Sequence, residues 1–385
     1  MKKNKDIYLV LTSLFPSKGN FRGPFIFDQV KAIRNLSQYE VVIVKIYGLE
    51  SNPLDYLYDE FKVISFRIVG FPSNILPDLF SKLNATRLYS LLKSKNIEVN
   101  NINFIHSHGI FKAGSLAVSL KENFIPNVKT IIQNHGFDFF GFNNGVLKNN
   151  KWHHKYLKIK GIQVLEKCDL SVAVSERMFY NLKRDFDFLP KNRYVLYNGV
   201  DLNKFYPLVN ENKKTEFVIG CVGNFLNIKS QITLIKAVEI ILNNNNKIKV
   251  KFVGTGITQV DCKKYISTAG MDEYFEFIDV MKHNELNNFY NSLDLFVLPS
   301  FSEALGCVYL ESIACGIPFI AVREQGIDEI IINKNDFLIE KNNFMHLSEL
   351  IVKQIAHKST TNVIINIDIN NLIFKYLSKV KSLRT

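Results

Sequence analysis

Short apolar runs rich in β-branched and aromatic residues alternate along the chain with longer stretches of helical period, which predicts buried strands separated by helices. The predicted strands are 6–12, 41–47, 63–69, 103–108, 130–133, 170–175 and 193–196, followed by a second series at 217–222, 249–253, 275–278, 295–298 and 318–322. Ile7-Tyr8-Leu9-Val10-Leu11 and Leu295-Phe296-Val297-Leu298 show the type. They are apolar at every position rather than at every second one, as in strands of a parallel sheet covered on both faces. Two such series predict an α/β protein of two Rossmann-like, doubly wound domains, 1–205 and 206–368, facing across a cleft. The break is expected near 199–216, where Asn198-Gly199-Val200-Asp201, Pro207 and Glu211-Asn212-Lys213-Lys214 interrupt the periodicity. Residues 369–385 contain an amphipathic segment, 372–380, predicted to form a helix that packs back on the N-terminal domain.

The composition fits that picture and removes several classes. The 385 residues are 47% hydrophobic and 22% charged, which excludes wholesale disorder. No run reaches the roughly 18 apolar residues needed to span a bilayer. Met1-Lys2-Lys3-Asn4-Lys5 ahead of Ile7–Leu11 imitates a signal peptide. The apolar run is short, however, no small-residue cleavage site follows, and the loop Phe15-Pro16-Ser17-Lys18-Gly19 comes next, so a first core strand is the reading adopted. The five cysteines, Cys168, Cys221, Cys262, Cys307 and Cys315, lack C-x-x-C spacing and read as reduced, buried thiols. The expected location is cytoplasmic, with peripheral attachment to the inner face of the plasma membrane as a variant.

Charge is divided unevenly. Residues 1–205 hold 29 Lys and Arg against 17 Asp and Glu, whereas residues 206–385 hold 19 of each, so the whole net charge of +12 lies in the first half. An anionic partner engaging one domain is the natural reading. The densest basic stretch runs through Lys148, Lys151, Lys155, Lys158, Lys160 and Lys167, with Trp152, Tyr156 and Ile159 among them. It fits either an interfacial helix on an anionic membrane or an ordinary solvated helix face. No nucleic-acid signature accompanies the charge, and nucleic acid is not an expected partner. There is also no G-x-G-x-x-G after the first strand and no Walker A sequence.

The stretch richest in chemistry runs from Pro299 to Pro318. A strand ends at Pro299, a loop carries Glu303, Leu305 and Gly306, and a helix is predicted from Cys307 with Glu311 on its first turns. A helix N-terminus attracts phosphate through its free N–H groups and its dipole. A carboxylate one turn further in can accept two ribose hydroxyls, as acidic residues do in other nucleotide folds. On these two glutamates alone, the preferred reading is structural, with Glu303 a surface cap and Glu311 a solvated helix residue.

Glu303-x7-Glu311, preceded by Leu298-Pro299-Ser300 and followed by Ala314-Cys315-Gly316-Ile317-Pro318, resembles the donor-site signature of family 4 retaining glycosyltransferases, which have the GT-B fold. The resemblance covers most of the chain. Val222-Gly223-Asn224 through Lys229 matches the family's V-G-R-x-x-x-x-K segment, which gives Lys229 the role of neutralising the donor diphosphate and puts Asn224 where the family has Arg. Gln133-Asn134-His135-Gly136-Phe137-Asp138 resembles the H-G-x-D turn, which implies that His135 meets the transferred sugar. His106-Ser107-His108-Gly109 also resembles the family; two histidines at that spacing lack a third partner, and no metal site is assigned. The loop 15–24, with Gly19, Arg22 and Gly23, matches the family's first loop, which approaches donor phosphate and acceptor, and Asp138 joins that group. Glu324-Gln325-Gly326 through Ile330 resembles the region closing the donor pocket.

The resemblance implies a retaining, metal-independent hexosyltransferase that uses a nucleotide-diphosphate sugar as co-substrate and no cofactor. The acceptor would be a glycan or lipid-linked hydroxyl in bacterial surface polysaccharide or glycolipid assembly. Its assigned catalytic residues are His135, Lys229 and Glu303, and its donor-binding residues are Asn224, Lys229, Glu303, Leu305, Gly306 and Glu311. Two competing readings differ in what they require: a sugar-nucleotide epimerase of the same fold needs no acceptor, and a non-catalytic basic module would bind nucleic acid with steep salt dependence and no turnover.

Overall fold

The structure is a computed structural model. It describes all residues except 1–4, 20–21, 49–50, 52, 71–75, 77–78, 137–151, 210–215, 244–246, 358 and 385, and also omits the side chains of 152–154. The chain folds as two α/β units, one made of Met1–Tyr197 with Ile369–Thr385, the other of Asn198–Asp368.

In the first unit the chain runs β1 (Ile7–Thr12), α1 (Pro24–Leu36), β2 (Glu40–Tyr47), β3 (Tyr56–Tyr58), β4 (Phe61–Arg67), α2 (Ser81–Ser94), β5 (Ile102–His108), α3 (Ser115–Asn123), β6 (Lys129–Asn134), α4 (Trp152–Lys167), β7 (Leu170–Ala173), α5 (Glu176–Phe186) and β8 (Arg193–Val195). The eight strands are ordered β3-β4-β2-β1-β5-β6-β7-β8, and all ladders are parallel except that of β3 with β4. Side chains alternate across the sheet, as the period of two requires. Ile7, Leu9 and Leu11 face a core shared with Leu88, Leu92, Leu116 and Leu120 of α2 and α3. Tyr8 and Val10 face a second core with Ile26, Val30 and Ile33 of α1.

The second unit runs β9 (Phe217–Val222), α6 (Gln231–Leu242), β10 (Ile248–Val253), α7 (Gln259–Thr268), β11 (Phe275–Ile278), α8 (Leu286–Asn291), β12 (Leu295–Val297), α9 (Cys307–Ala314), β13 (Phe319–Val322), α10 (Lys334–Phe337), β14 (Leu338–Ile339) and α11 (Phe344–Ala356). Its six strands are parallel in the order β11-β10-β9-β12-β13-β14. Each predicted strand has its counterpart; the very short β3 and β14 carry too few apolar residues to be read from periodicity.

The chain then returns to the first unit as α12 (Ile369–Lys381). Its Ile373, Tyr376, Leu377 and Val380 are buried in the same core as α1. At about 1.5–3 kcal/mol per buried large apolar side chain, this helix is a substantial part of that core. The units divide between Tyr197 and Asn198, upstream of the expected 199–216. The reason lies in the hydrogen bonds of the intervening residues. Asn198 Nδ2 donates to Leu305 O (2.7 Å), Val200 N to Ile367 O (2.8 Å) and Tyr206 N to Asn287 Oδ1 (3.0 Å), all within the second unit. The polar stretch 211–214, expected to be the linker, falls outside the described residues.

In both sheets the strand order reverses beside the first strand of the series. β1 lies between β2 and β5, and β9 lies between β10 and β12. Open α/β sheets take ligands at the carboxyl ends of strands flanking such a reversal.

Candidate functional site

At the carboxyl ends of β9 and β12 two loops are tied together. Ile228 O accepts from Phe301 N (2.7 Å) and from Ser300 Oγ (3.1 Å). Beyond β9, residues Asn227–Lys229 form a 3-10 turn, and Ser230 takes a left-handed backbone (φ 49°, ψ 42°) that redirects the chain into α6. Such a conformation is uncommon for a residue with a Cβ and occurs at constrained sites. Here Ser230 is buried and its Oγ pairs with Thr233 Oγ1 (2.8 Å). The turn delivers Lys229 Nζ into hydrogen-bond contact with Glu303 Oε1. Both side chains are partly exposed, at 24% and 14%, so this cation–carboxylate pair is accessible to a ligand.

The Glu303 loop is held from several directions. Leu305 O accepts from Asn198 Nδ2, Ser300 O accepts from buried Gln325 Nε2 (2.5 Å), and Leu298 O accepts from Tyr309 OH (2.8 Å). Gly306 is the residue before α9, and a Cβ there would lie 3.1 Å from the Tyr309 ring. The region 324–330 thus reaches this loop through Gln325.

Glu311, in the second turn of α9, is not in that pair. Its carboxylate is buried and accepts from Tyr290 OH at Oε2 (2.8 Å) and from His283 Nε2 at Oε1 (3.2 Å). A carboxylate only accepts, so His283 carries its proton on Nε2. Burial first, and the Glu311 charge second, push the Tyr290 hydroxyl well above its ordinary value, which keeps it a donor. Asn224 has an exposed side chain, and its backbone O accepts from Gln231 Nε2 (3.1 Å). Sequence reasoning missed His283 and Tyr290, and it missed Gly254-Thr255-Gly256 after β10. A Cβ at Gly254 (φ 135°) would lie 2.3 Å from Gly223 O, and one at Gly256 (φ 157°) 2.2 Å from Phe225 O. A G-x-G directly after a predicted strand was the available signal.

In the first unit the polar cluster is neutral. His106 and His108 alternate with Ser107 along β5 and stack at 4.4 Å, and His108 stacks on His135 at 5.2 Å and 14°. His108 Nδ1 and His135 Nε2 share a hydrogen bond of 2.9 Å. His106 Nδ1 lies 2.8 Å from Tyr8 OH, which in turn lies 2.9 Å from Tyr376 OH on α12. Burial holds His106 and His135 down to about 3 and His108 well below the ordinary histidine value. A third histidine therefore does join the two expected ones. The rings stack rather than converge, and among the described residues no group of three His, Cys, Asp or Glu could hold a metal.

The first loop is anchored by buried Lys45, whose Nζ donates to Phe15 O (2.7 Å), and by Tyr56 OH, which donates to Pro16 O (3.0 Å). Gly23 (φ 86°) precedes α1, and a Cβ there would lie 2.9 Å from Leu14 O. Gly19 (φ 82°) has open space around it, and Arg22 is exposed. Asp138, Lys148 and Lys151 lie outside the described residues, as does the Trp152 side chain. Ile159 on α4 is 55% exposed. No helix among the described residues is long and apolar enough to cross a membrane.

Solved structures with this architecture place it first by fold. Sucrose-phosphate synthase from Thermosynechococcus elongatus matches with a TM-score of 0.72 at 15% identity, covering 98% of this chain and 96% of that one. Anabaena HepE in complex with UDP matches with 0.71 at 15% identity, covering 98% and 100%. The fold is GT-B. Sequence narrows it further. Residues 25–204 match the model described as Glycosyltransferase Family 4, and residues 204–367 match Glycosyl transferases group 1. An uncharacterized glycosyltransferase of Methanocaldococcus jannaschii is 30% identical over 266 residues, 68% of each chain. The UDP-Gal:alpha-D-GlcNAc-diphosphoundecaprenol alpha-1,3-galactosyltransferase of Escherichia coli is 27% identical over 362 residues, 87% of this chain and 86% of that one. The chain belongs to glycosyltransferase family 4.

Proposed function

We propose that the protein transfers a hexose-type sugar from a nucleotide-diphosphate sugar to a hydroxyl acceptor, with retention of anomeric configuration and without a metal. The observation that carries this reading is the Lys229–Glu303 pair at the strand-order reversal of the second sheet, beside the N-terminus of α9. A lysine has three N–H donors, so contact with Glu303 leaves two for diphosphate oxygens. The N–H groups at the start of α9 would add to this, and such preorganised donors stabilise a leaving group as its charge develops. Glu303 has lone pairs left over to accept sugar hydroxyls, and Glu311 takes the ribose. His135 would meet the sugar with Nδ1, a buried atom with no hydrogen-bond partner among the described residues, since His108 holds Nε2. Retention follows if the acceptor hydroxyl attacks on the face the diphosphate leaves, its proton passing to the departing diphosphate oxygen.

The E. coli relative's name specifies a diphosphoundecaprenol acceptor, which supports a lipid-linked glycan as substrate here. The excess charge of the first half and exposed Ile159 beside Lys158 and Lys160 support work at an anionic membrane surface on the cytoplasmic side.

Screening UDP- and GDP-sugars by thermal shift tests the donor class, since a saturating ligand raises apparent stability. The product's anomeric coupling by NMR tests retention, and undiminished turnover in EDTA tests metal independence. Free nucleotide and an altered sugar formed without acceptor would favour an epimerase.

A further inference from the structure

Glu311 is a carboxylate held from behind. Both its oxygens accept from the protein, Oε2 from Tyr290 OH and Oε1 from His283 Nε2. A carboxylate offers about four lone-pair positions, so two remain, one on each oxygen. The two protein donors come from one stretch, Tyr290 from α8 and His283 from the segment just before it. Both are braced by Phe205, whose ring meets His283 at 5.1 Å and Tyr290 at 6.0 Å, edge-on in each case. α8 is fixed in turn, because Asn287 Oδ1 accepts from Tyr206 N and Asn291 Nδ2 donates to Tyr206 O (3.0 Å). The plane of the Glu311 carboxylate is therefore set by the fold.

We infer that Tyr290 and His283 are positioning residues that set the selectivity of this site for ribose. With both oxygens pinned, the two remaining acceptor positions have a fixed separation, suited to two vicinal hydroxyls and offering nothing to a sugar that lacks them. Buried acceptors left without donors are costly, so the pinned carboxylate also disfavours a deoxyribose ligand. The inference rests on Glu311 being the ribose acceptor.

The test is isothermal titration of the full chain with UDP and 2′,3′-dideoxy-UDP, and with GDP and its dideoxy form. The wild type should prefer the ribose form, and Glu311→Ala should abolish the preference. Tyr290→Phe keeps the ring and should weaken the ribose form about fivefold to tenfold while leaving the dideoxy form unchanged. His283→Ala should act the same way, and His283→Gln, which restores an N–H donor, should recover most of the loss. A uniform weakening of both ligand forms by Tyr290→Phe and His283→Ala, or no effect on either, overturns the inference while the Glu311 reading survives. A preference that persists in Glu311→Ala, or the absence of binding by all four nucleotides, removes the Glu311 reading and the inference with it. If Tyr290→Phe does not fold, the three His283 forms carry the test alone, because His283 is partly exposed.

Discussion

At the carboxyl end of the first sheet, three imidazoles stack face to face, all neutral, with hydroxyls and each other as partners. At the carboxyl end of the second, an ammonium and a carboxylate meet at a partly exposed loop, and a second carboxylate is pinned nearby. The sheets are alike in topology at these points, so the difference lies in the side chains and their solvation. Burying a charge without a partner costs far more than burying a neutral ring, and the imidazoles respond by losing their protons. Lys229 and Glu303 keep partial contact with water, where their charges are cheap to maintain and available to an anionic ligand. The histidine cluster of the first unit presents shape and neutral hydrogen bonds, and the Lys229–Glu303 loop of the second presents charge.

That contrast is open to attack, beginning where the effect should be largest. Lys229→Met should lower kcat/KM by about 100- to 1000-fold, the usual loss for one preorganised donor on a developing oxyanion. Circular dichroism should show a folded chain. A residual activity within a few-fold of wild type would remove Lys229 from the chemistry. His135→Ala should cost about 10- to 100-fold in kcat while leaving nucleotide affinity in the second unit unchanged. A parallel loss of UDP binding would mean the two clusters do not divide the work as described.

Gly254→Ala tests the second unit's backbone. Its Cβ would fall 2.3 Å from Gly223 O at a φ of 135°, and a cost of about 2–3 kcal/mol is expected, read as a lower thermal midpoint. The pH dependence of stability tests the first unit. His106 and His135 stay neutral in the fold down to about 3, but they titrate near 6.5 once unfolded. The unfolded chain therefore binds more protons below about pH 6.5, and stability should be full above that value and fall progressively toward pH 3. His106→Asn should flatten the fall between pH 6.5 and 5, as followed by thermal midpoint. The smallest effect belongs to Arg384→Ala. Its ion pair with Asp6 is solvent-exposed and should be worth no more than ~1 kcal/mol by denaturant titration.

The local signals were strong where sequence neighbours decide the outcome. Phe217–Val222 is a strand of apolar residues interrupted only by Gly220, and Phe275–Ile278 one interrupted only by Glu276, and both edges were legible. Lys229 and Glu303 could each be placed on a loop, and their resemblance to a family motif joined them before any geometry did. The partnerships of Glu311 were not legible. Tyr290 is 21 positions away and His283 is 28, and nothing in an amphipathic stretch distinguishes a tyrosine that packs from one that also donates. His108 and His135, 27 apart, meet only because β5 and β6 are paired in register, with His108 opposite Gln133. β3 was missed for a different reason: Tyr56-Leu57-Tyr58 is an edge strand fixed by its antiparallel neighbour rather than by an apolar run of its own.

The helix Ile369–Lys381 carries Tyr376, which sits against Tyr8 from the first strand. During synthesis the ribosome makes that tyrosine long after its partner, with the whole of Asn198–Asp368 in between. The half of the protein that emerges first is thus the last to be finished, and its Tyr8 face stays uncovered until Ile369–Lys381 has emerged. A chain truncated after Asp368 and free in solution should hold a completed second unit and an unfinished first one, the reverse of the order in which they are made.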